Sequence, residues 1–162
     1  MKILLIGATG QLGQTLIKTK PQNIEIIECS RSNIDLSNLE LINDFILSSN
    51  ANFVINSAAY TEVDKAELES ELAYQINAEA PNAIANAVSK TKGSLIHIST
   101  DFVFDGSKNI PYNPNDYVKP LGIYGKSKAK GEEYLLKLKN NYVVRTSWLY
   151  GDFGKNFCLT ML

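Results

Sequence analysis

The sequence predicts an α/β fold, a doubly wound, Rossmann-like parallel sheet, and three observations predict it. Strand-like and helix-like segments alternate along the chain. The first strand-like run passes directly into a glycine loop, and polar or small residues follow the strands that come after it. Lys2–Ile6 is a compact apolar run suited to a buried parallel strand. Gly7-Ala-Thr-Gly10-Gln-Leu-Gly13 follows it at once, in the spacing G-x-x-G-x-x-G. Gly7 permits the tight turn, Gly10 lets the backbone approach a pyrophosphate, and Gly13 lets the next helix pack closely. Free amides at the start of that helix then face the phosphates. A glycine trio alone also fits a structural turn; its place between strand and helix favours the dinucleotide reading.

The remaining elements follow in order. Gln11 to Lys18 reads as a helix, Pro21 breaks the chain, and Ile24 to Glu28 is a second strand. Ser30 to Asn33 is a loop, and Asp35 is placed to cap a helix running to about Leu47. Phe53–Asn56 is the third strand, followed by a loop through Thr61 and an alanine-rich helix ending near Lys90. Ser94 to Ser99 is the fourth strand. Asp105 to Lys119 holds Gly106, Pro111 and Pro114 and is read as a loop over the site. Leu121 to Leu138 is a helix, Tyr142 to Thr146 the fifth strand, and a further helix begins at Asn156.

Composition narrows the function. With 162 residues the chain suits one domain with a sizeable core. A net charge of −1 gives no reason to expect nucleic acid or an anionic membrane surface. Cys29 and Cys158 make no disulfide framework, so a reducing compartment is the default. The first strand begins at Lys2, which leaves no room for a signal peptide, and no apolar run is long enough for a bilayer; a cytoplasmic location is expected. The single histidine, His97, lies in an apolar strand as a satisfied core residue, which leaves a Ser-His-Asp hydrolase or a multi-histidine metal site with little support. The acidic run from Glu62 to Glu71 is interspersed with Lys65 and alanine and reads as a solvated helix face.

The chemistry lies after the fourth strand. Tyr124 and Lys128 in Tyr-Gly-Lys-Ser-Lys stand one helical turn apart on one face, so a phenol and an ammonium share a site. A neighbouring positive charge is expected to lower the phenol's pKa. The tyrosine can pass a proton to a carbonyl oxygen as hydride reaches its carbon, while the lysine hydrogen-bonds a cofactor ribose. Thr100 offers a hydroxyl to the same carbonyl, and Asp101 beside it can bind a substrate hydroxyl. In a chain with eight tyrosines the pair alone equally fits an exposed helix face. In a doubly wound sheet, however, ligands bind beyond the carboxyl ends of the strands. The fold therefore collects Gln11, Tyr60, Thr61, Thr100, Asp101, Ser147 and Trp148 on one edge.

The glycine loop, Asn56-Ser-Ala-Ala-Tyr-Thr-Glu-Val-Asp-Lys-Ala-Glu67, Ser99-Thr-Asp-Phe-Val-Phe-Asp-Gly106, the Y-x-x-x-K helix and Arg145-Thr-Ser-Trp148 together resemble the extended short-chain dehydrogenase/reductases. Within that superfamily the chain resembles the dTDP-4-dehydrorhamnose reductases over its whole length. The resemblance implies an oxidoreductase of dTDP-rhamnose biosynthesis that reduces dTDP-4-dehydro-L-rhamnose with NADPH or NADH. It makes Tyr124 the general acid, Lys128 its partner and Thr100 the third catalytic group. It places Gly7, Gly10, Gln11, Leu12 and Gly13 at the pyrophosphate, Asp35 and Leu36 near the adenine, and Ala59, Tyr60 and Thr61 along the nicotinamide. Thr100, Asp101 and Trp148 approach the sugar nucleotide, with a core or rim aromatic as the plain alternative for Trp148.

Members of that family are longer. The chain is therefore expected to be an amino-terminal NAD(P)-binding domain, residues 1–162, largely without the substrate-binding portion and inactive alone. Any Mg2+ and any homodimer contact are implied for the missing part. Two other readings stay open: a non-catalytic NADP-binding regulatory subunit resembling the methionine adenosyltransferase β subunit, or a reductase or epimerase of another nucleotide sugar. Glu28 at the strand end would favour the ribose hydroxyls of NADH and Arg31 the extra phosphate of NADPH, so the sequence leaves the cofactor open.

Overall fold

Five parallel strands, β1 (Lys2–Ile6), β2 (Glu25–Cys29), β3 (Phe53–Asn56), β4 (Ser94–Thr100) and β5 (Asn141–Thr146), form one sheet in the order β2-β1-β3-β4-β5. The computed structural model describes residues 1–162. The chain steps outward from β1 to β2, then back across β1 to β3, β4 and β5, so the winding reverses between β1 and β3. Right-handed crossovers then place α1 (Gln11–Thr19) on one face, and α2 (Ile42–Ser49), α5 (Ala80–Ser89) and α6 (Ile123–Leu135) on the other.

The strand register determines which side chains meet those helices. Leu4 pairs with Val54 and Val54 with Leu95, so the three lie in a row on one face. They join Ile42 and Ile46 of α2, Ile84, Ala85 and Val88 of α5, and Leu135 of α6 in one buried cluster. One step along, Asn56 pairs with His97 and His97 with Val143, which brings polar groups onto the same face near the strand ends. On the opposite face β5 leaves Tyr142 and Val144 exposed.

Four expectations need correction. Asp35 does not cap a helix: its carboxylate accepts from the Ser37 backbone N–H at 2.9 Å and the Ser37 hydroxyl at 2.8 Å, closing a local turn. Asn38 instead caps a 3-10 turn, Leu39–Leu41, that leads into α2.

The alanine-rich helix is broken into α3 (Val63–Ala66), α4 (Ser70–Tyr74), a π turn at Gln75–Glu79, and α5. Pro81 stands in the first turn of α5. It offers no N–H, and its ring crowds the carbonyl four residues back, that of Asn77, so the π turn absorbs the misfit.

The segment after the 3-10 turn Asp101–Val103 is irregular as expected, but it does not cover the site. The Asp105 carboxylate gathers the Ser107 and Tyr112 hydroxyls at 2.8 and 2.9 Å and the Lys119 ammonium at 3.3 Å, which folds the loop on itself. Arg145 further holds it through the Pro114 carbonyl at 3.0 Å.

Finally, α6 is shorter than the apolar pattern implies. It starts at Ile123, whose N–H donates to the Glu67 carboxylate at 2.7 Å, so one residue of the acidic run caps this helix rather than facing solvent. The short α7 (Phe157–Met161) begins where expected, with the Asn156 side chain accepting from the Leu159 N–H at 3.1 Å. No helix is long and apolar enough to cross a membrane.

Candidate functional site

A cleft of about 770 Å³ opens at the carboxyl edge of the sheet, where the winding reverses. The glycine loop forms one wall. Gly7 has φ +86°, and a Cβ there would lie 2.7 Å from the Ala58 nitrogen. A Cβ on Gly13 would lie 2.2 Å from the Gly7 carbonyl, so α1 reaches its seat under the loop only because that position is glycine. Gly13 accordingly works behind the wall, whereas Gly7, Gly10, Gln11 and Leu12 line the cleft. Gln11 Nε2 is buried without a hydrogen-bond partner, an orphaned donor beside the amino terminus of α1 where an anionic group is favoured.

The far end of the cleft is formed by the turn after β2. Ser30, Arg31, Asp35 and Leu36 line it, and Glu28 does not. Arg31 and Asp35 form an exposed pair at 3.6 Å. The Asp35 carboxyl is held below its usual range, first by the Ser37 N–H and hydroxyl and then by Arg31.

After β3, Ala59 and Thr61 line the cleft and the Tyr60 ring turns away. Asn77 clamps the Tyr60 backbone from both sides, at 2.9 and 3.0 Å, and the phenol donates to Glu69 at 2.6 Å. That hydrogen bond, with some burial, pushes the Tyr60 phenol up to about 12. Tyr60 therefore does not line this side of the site.

The opposite wall carries Thr100, Asp101, Tyr124, Lys128, Ser147 and Trp148. Thr100, the last residue of β4, accepts from the Phe102 N–H at 3.2 Å and so starts the Asp101–Val103 turn. Its hydroxyl lies close enough to the Tyr124 phenol to favour the ionised form slightly. The Phe102 ring meets the Tyr124 ring edge-on at 5.6 Å. Asp101 receives the Thr100 hydroxyl at 3.2 Å and the Ser147 hydroxyl at 2.7 Å. Trp148 is 77% exposed at the rim with φ +52°, a left-handed backbone unusual for an aromatic residue.

The expected lowering of the Tyr124 pKa by Lys128 is not found. Burial raises it, the Thr100 hydroxyl lowers it partly, and the Asp101 charge raises it again. The reason is the direction of the lysine. Lys128 is 2% exposed, and its nitrogen donates to the Ile98 carbonyl at 2.6 Å and lies 3.3 Å from His97 Nε2. Burial brings Lys128 down to about 8, opposed by the Glu132 charge one turn on. Glu132 is itself tied to Arg145 at 2.6 Å and to the Ser99 hydroxyl.

Gly154 and Lys155, from the loop after β5, also line the cleft and were not singled out in the sequence. The Gly-Lys pair there was the available signal. No group of three or more His, Cys, Asp or Glu side chains is arranged to hold a metal ion.

The family model described as the RmlD substrate binding domain matches residues 1–162. The chain belongs to this family. A dTDP-4-dehydrorhamnose reductase of Aggregatibacter actinomycetemcomitans is 42% identical over 164 residues, covering 99% of this chain and 56% of the relative. The Escherichia coli reductase of the same name is 38% identical over 167 residues. Among solved structures, the Clostridium acetobutylicum dTDP-4-dehydrorhamnose reductase superposes with a TM-score of 0.95 at 44% identity, covering 99% of this chain and 58% of that one. The Bacillus anthracis reductase, solved in complex with NADP, superposes with a TM-score of 0.94 at 38% identity and the same coverage. This RmlD-family chain therefore spans little more than half the length of the relatives it matches.

Proposed function

We propose that residues 1–162 form the NAD(P)H-binding domain of a dTDP-4-dehydrorhamnose reductase, whose Thr100, Tyr124 and Lys128 protonate the oxygen of a nucleotide-sugar 4-ketone as it becomes an alcohol. One observation carries this reading: the hydroxyls of Thr100 and Tyr124, together with Lys128, line the same cleft as the glycine loop. When bound, the reduced nicotinamide supplies the hydride. Gly7, Gly10, Gln11 and Leu12 hold the pyrophosphate, with the unpartnered Gln11 amide among the donors and Gly13 making room behind them. Asp35 and Leu36 flank the adenine, and Ala59 and Thr61 flank the nicotinamide.

Burial keeps the Tyr124 phenol protonated at neutral pH, so it is a stored acid beside the substrate oxygen. Thr100 offers its own hydroxyl to the same oxygen. Lys128, fixed by the Ile98 carbonyl and by its contact with His97, keeps an N–H for a ribose hydroxyl. Asp101, fixed by Ser147, and Trp148 at the rim receive the sugar nucleotide. Arg31 lines the cleft where Glu28 does not, which favours NADPH over NADH. A homodimer and any Mg2+ requirement belong, on this reading, to the part of the relatives that this chain does not span.

The test mixes the full-length protein with NADPH and dTDP-4-dehydro-L-rhamnose. Loss of nicotinamide absorbance with formation of dTDP-L-rhamnose is expected. Bound NADPH without turnover would favour a regulatory subunit, and turnover only of another nucleotide sugar would reassign the substrate.

A further inference from the structure

Behind the cleft wall lies a buried polar chain that the proposed chemistry does not use. Asn56 and His97 are fully buried register partners on β3 and β4, and Asn56 Nδ2 is 3.2 Å from His97 Nδ1. The other ring nitrogen, Nε2, is 3.3 Å from Lys128 Nζ. The amide orientation follows from its second partner: Asn56 Oδ1 accepts the Ala58 N–H at 3.2 Å, so Nδ2 faces the imidazole. An amide nitrogen only donates, so Nδ1 is the acceptor. A neutral ring then carries its hydrogen on Nε2, and Lys128 Nζ must accept it, which only a neutral amine can do. A protonated Lys128 has three donors and no lone pair. It demands a bare Nε2, hence a hydrogen on Nδ1 and Oδ1 of Asn56 turned toward the ring, at the expense of the Ala58 bond.

We propose that His97 is a positioning residue for Lys128, and that Asn56 and His97 act as a two-state relay in which the imidazole tautomer follows the charge of the lysine while the ring stays neutral. Proton balance is simple. The amine takes one proton from water, the ring hydrogen moves from Nε2 to Nδ1, and the net charge rises by one, all of it on Lys128. The Asn56–Ala58 bond favours the neutral amine.

Other groups around Lys128 act on the same equilibrium. From α6 these are Glu132, whose charge favours the ammonium, and the phenol of Tyr124. From β5 it is Arg145, which partly neutralises Glu132, and from the turn after β4 it is Asp101 on the same cleft wall. Burial disfavours charge on both partners: His97 is pushed well below its ordinary value and Lys128 down to about 8. The lysine is thus the group that titrates and the imidazole the group that reports. The consequence for catalysis rests on the reading of Lys128 as the cofactor-binding lysine; the relay itself does not.

His97 is the only histidine among residues 1–162, and in nitrogen-15 spectra of histidine-labelled protein His97→Gln identifies its signals by removing them. A neutral ring at every pH is expected, with its hydrogen on Nδ1 below about pH 8 and on Nε2 above it. A single tautomer from pH 6 to 10, or an imidazolium forming near pH 6.5, would overturn the proposal. Lys128→Met should abolish the switch without unfolding the sheet; a switch that survives it would also overturn the relay. In the same protein, NADPH affinity is expected to weaken through the pH range in which the tautomer changes. His97→Gln should move that midpoint by about one pH unit, and an unmoved midpoint counts against the positioning role. If the tautomer switches but affinity is flat with pH, the relay stands and the assignment of Lys128 to the cofactor falls.

Discussion

Tyr124 is proposed as the acid because of what surrounds one oxygen. Burial keeps the phenol protonated, and the Thr100 hydroxyl nearby offsets that only in part. Tyr124→Phe is therefore expected to lower kcat roughly a hundredfold or more while leaving NADPH affinity within about twofold, by steady-state kinetics and fluorescence titration. Lys128 makes a stability prediction with a definite sign. Its folded pKa is about 8 against the ordinary 10.5, so between those values the unfolded chain holds the extra proton and stability rises with pH. Below about pH 8 the full cost of the buried charge is present. Lys128→Met removes that cost, so its stability advantage over the parent in urea unfolding should shrink by on the order of 3 kcal/mol from pH 7 to pH 10.5. At the other end of the cleft, Arg31→Ala should weaken NADPH binding roughly tenfold and leave NADH unchanged in parallel titrations, because only NADPH carries the phosphate.

Elements are held at the site by polar groups as much as by the apolar core. Arg145 of β5 makes a forked contact with Glu132 of α6, at 3.0 Å from Nε and 2.6 Å from Nη2, while Glu132 also takes the Ser99 hydroxyl of β4. This one carboxylate therefore joins β4, α6 and β5 next to Lys128. Arg145→Ala leaves it buried without its cation and should cost about 3 kcal/mol, measured as a fall in urea midpoint, and should also free the loop that Pro114 anchors. The helix carrying Tyr124 and Lys128 is seated by close approach: a Cβ on Gly125 would lie 2.3 Å from the Phe102 carbonyl. That seat gives a reason for Gly125 in Tyr-Gly-x-Ser-Lys which the Y-x-x-x-K pattern alone does not supply.

At the scale of the molecule, ligand binding should appear as stability. With NADPH at a hundred times its Kd, mass action adds about 3 kcal/mol, which raises the Tm by roughly 5–10 °C in a thermal scan. No shift would argue that the cleft does not bind the dinucleotide. The parallel sheet, its reversal of winding and the glycine-lined edge were legible in the sequence because they rest on local signals, apolar runs of strand length and glycines at fixed offsets. Breaks in that legibility have physical causes. The alanine-rich stretch from Val63 to Ser89 carries helical signal, but Pro81 interrupts it. Tyr60 lies between two cleft residues, yet Asn77 and Glu69, distant along the chain, turn its ring away.

The sequence by itself determined which chemistry is available: a phenol, an amine and a hydroxyl at helix and strand ends, behind a glycine loop. Only the tertiary structure decided how those groups are used. A pattern of spacing fixes which residues share a face, whereas proton affinity depends on every charge and hydrogen bond that packing brings within a few ångströms. That is why Lys128 turns to the Ile98 carbonyl and His97 instead of lowering the Tyr124 pKa, and why the one histidine, a buried and satisfied core residue as the sequence implies, lies directly against that lysine.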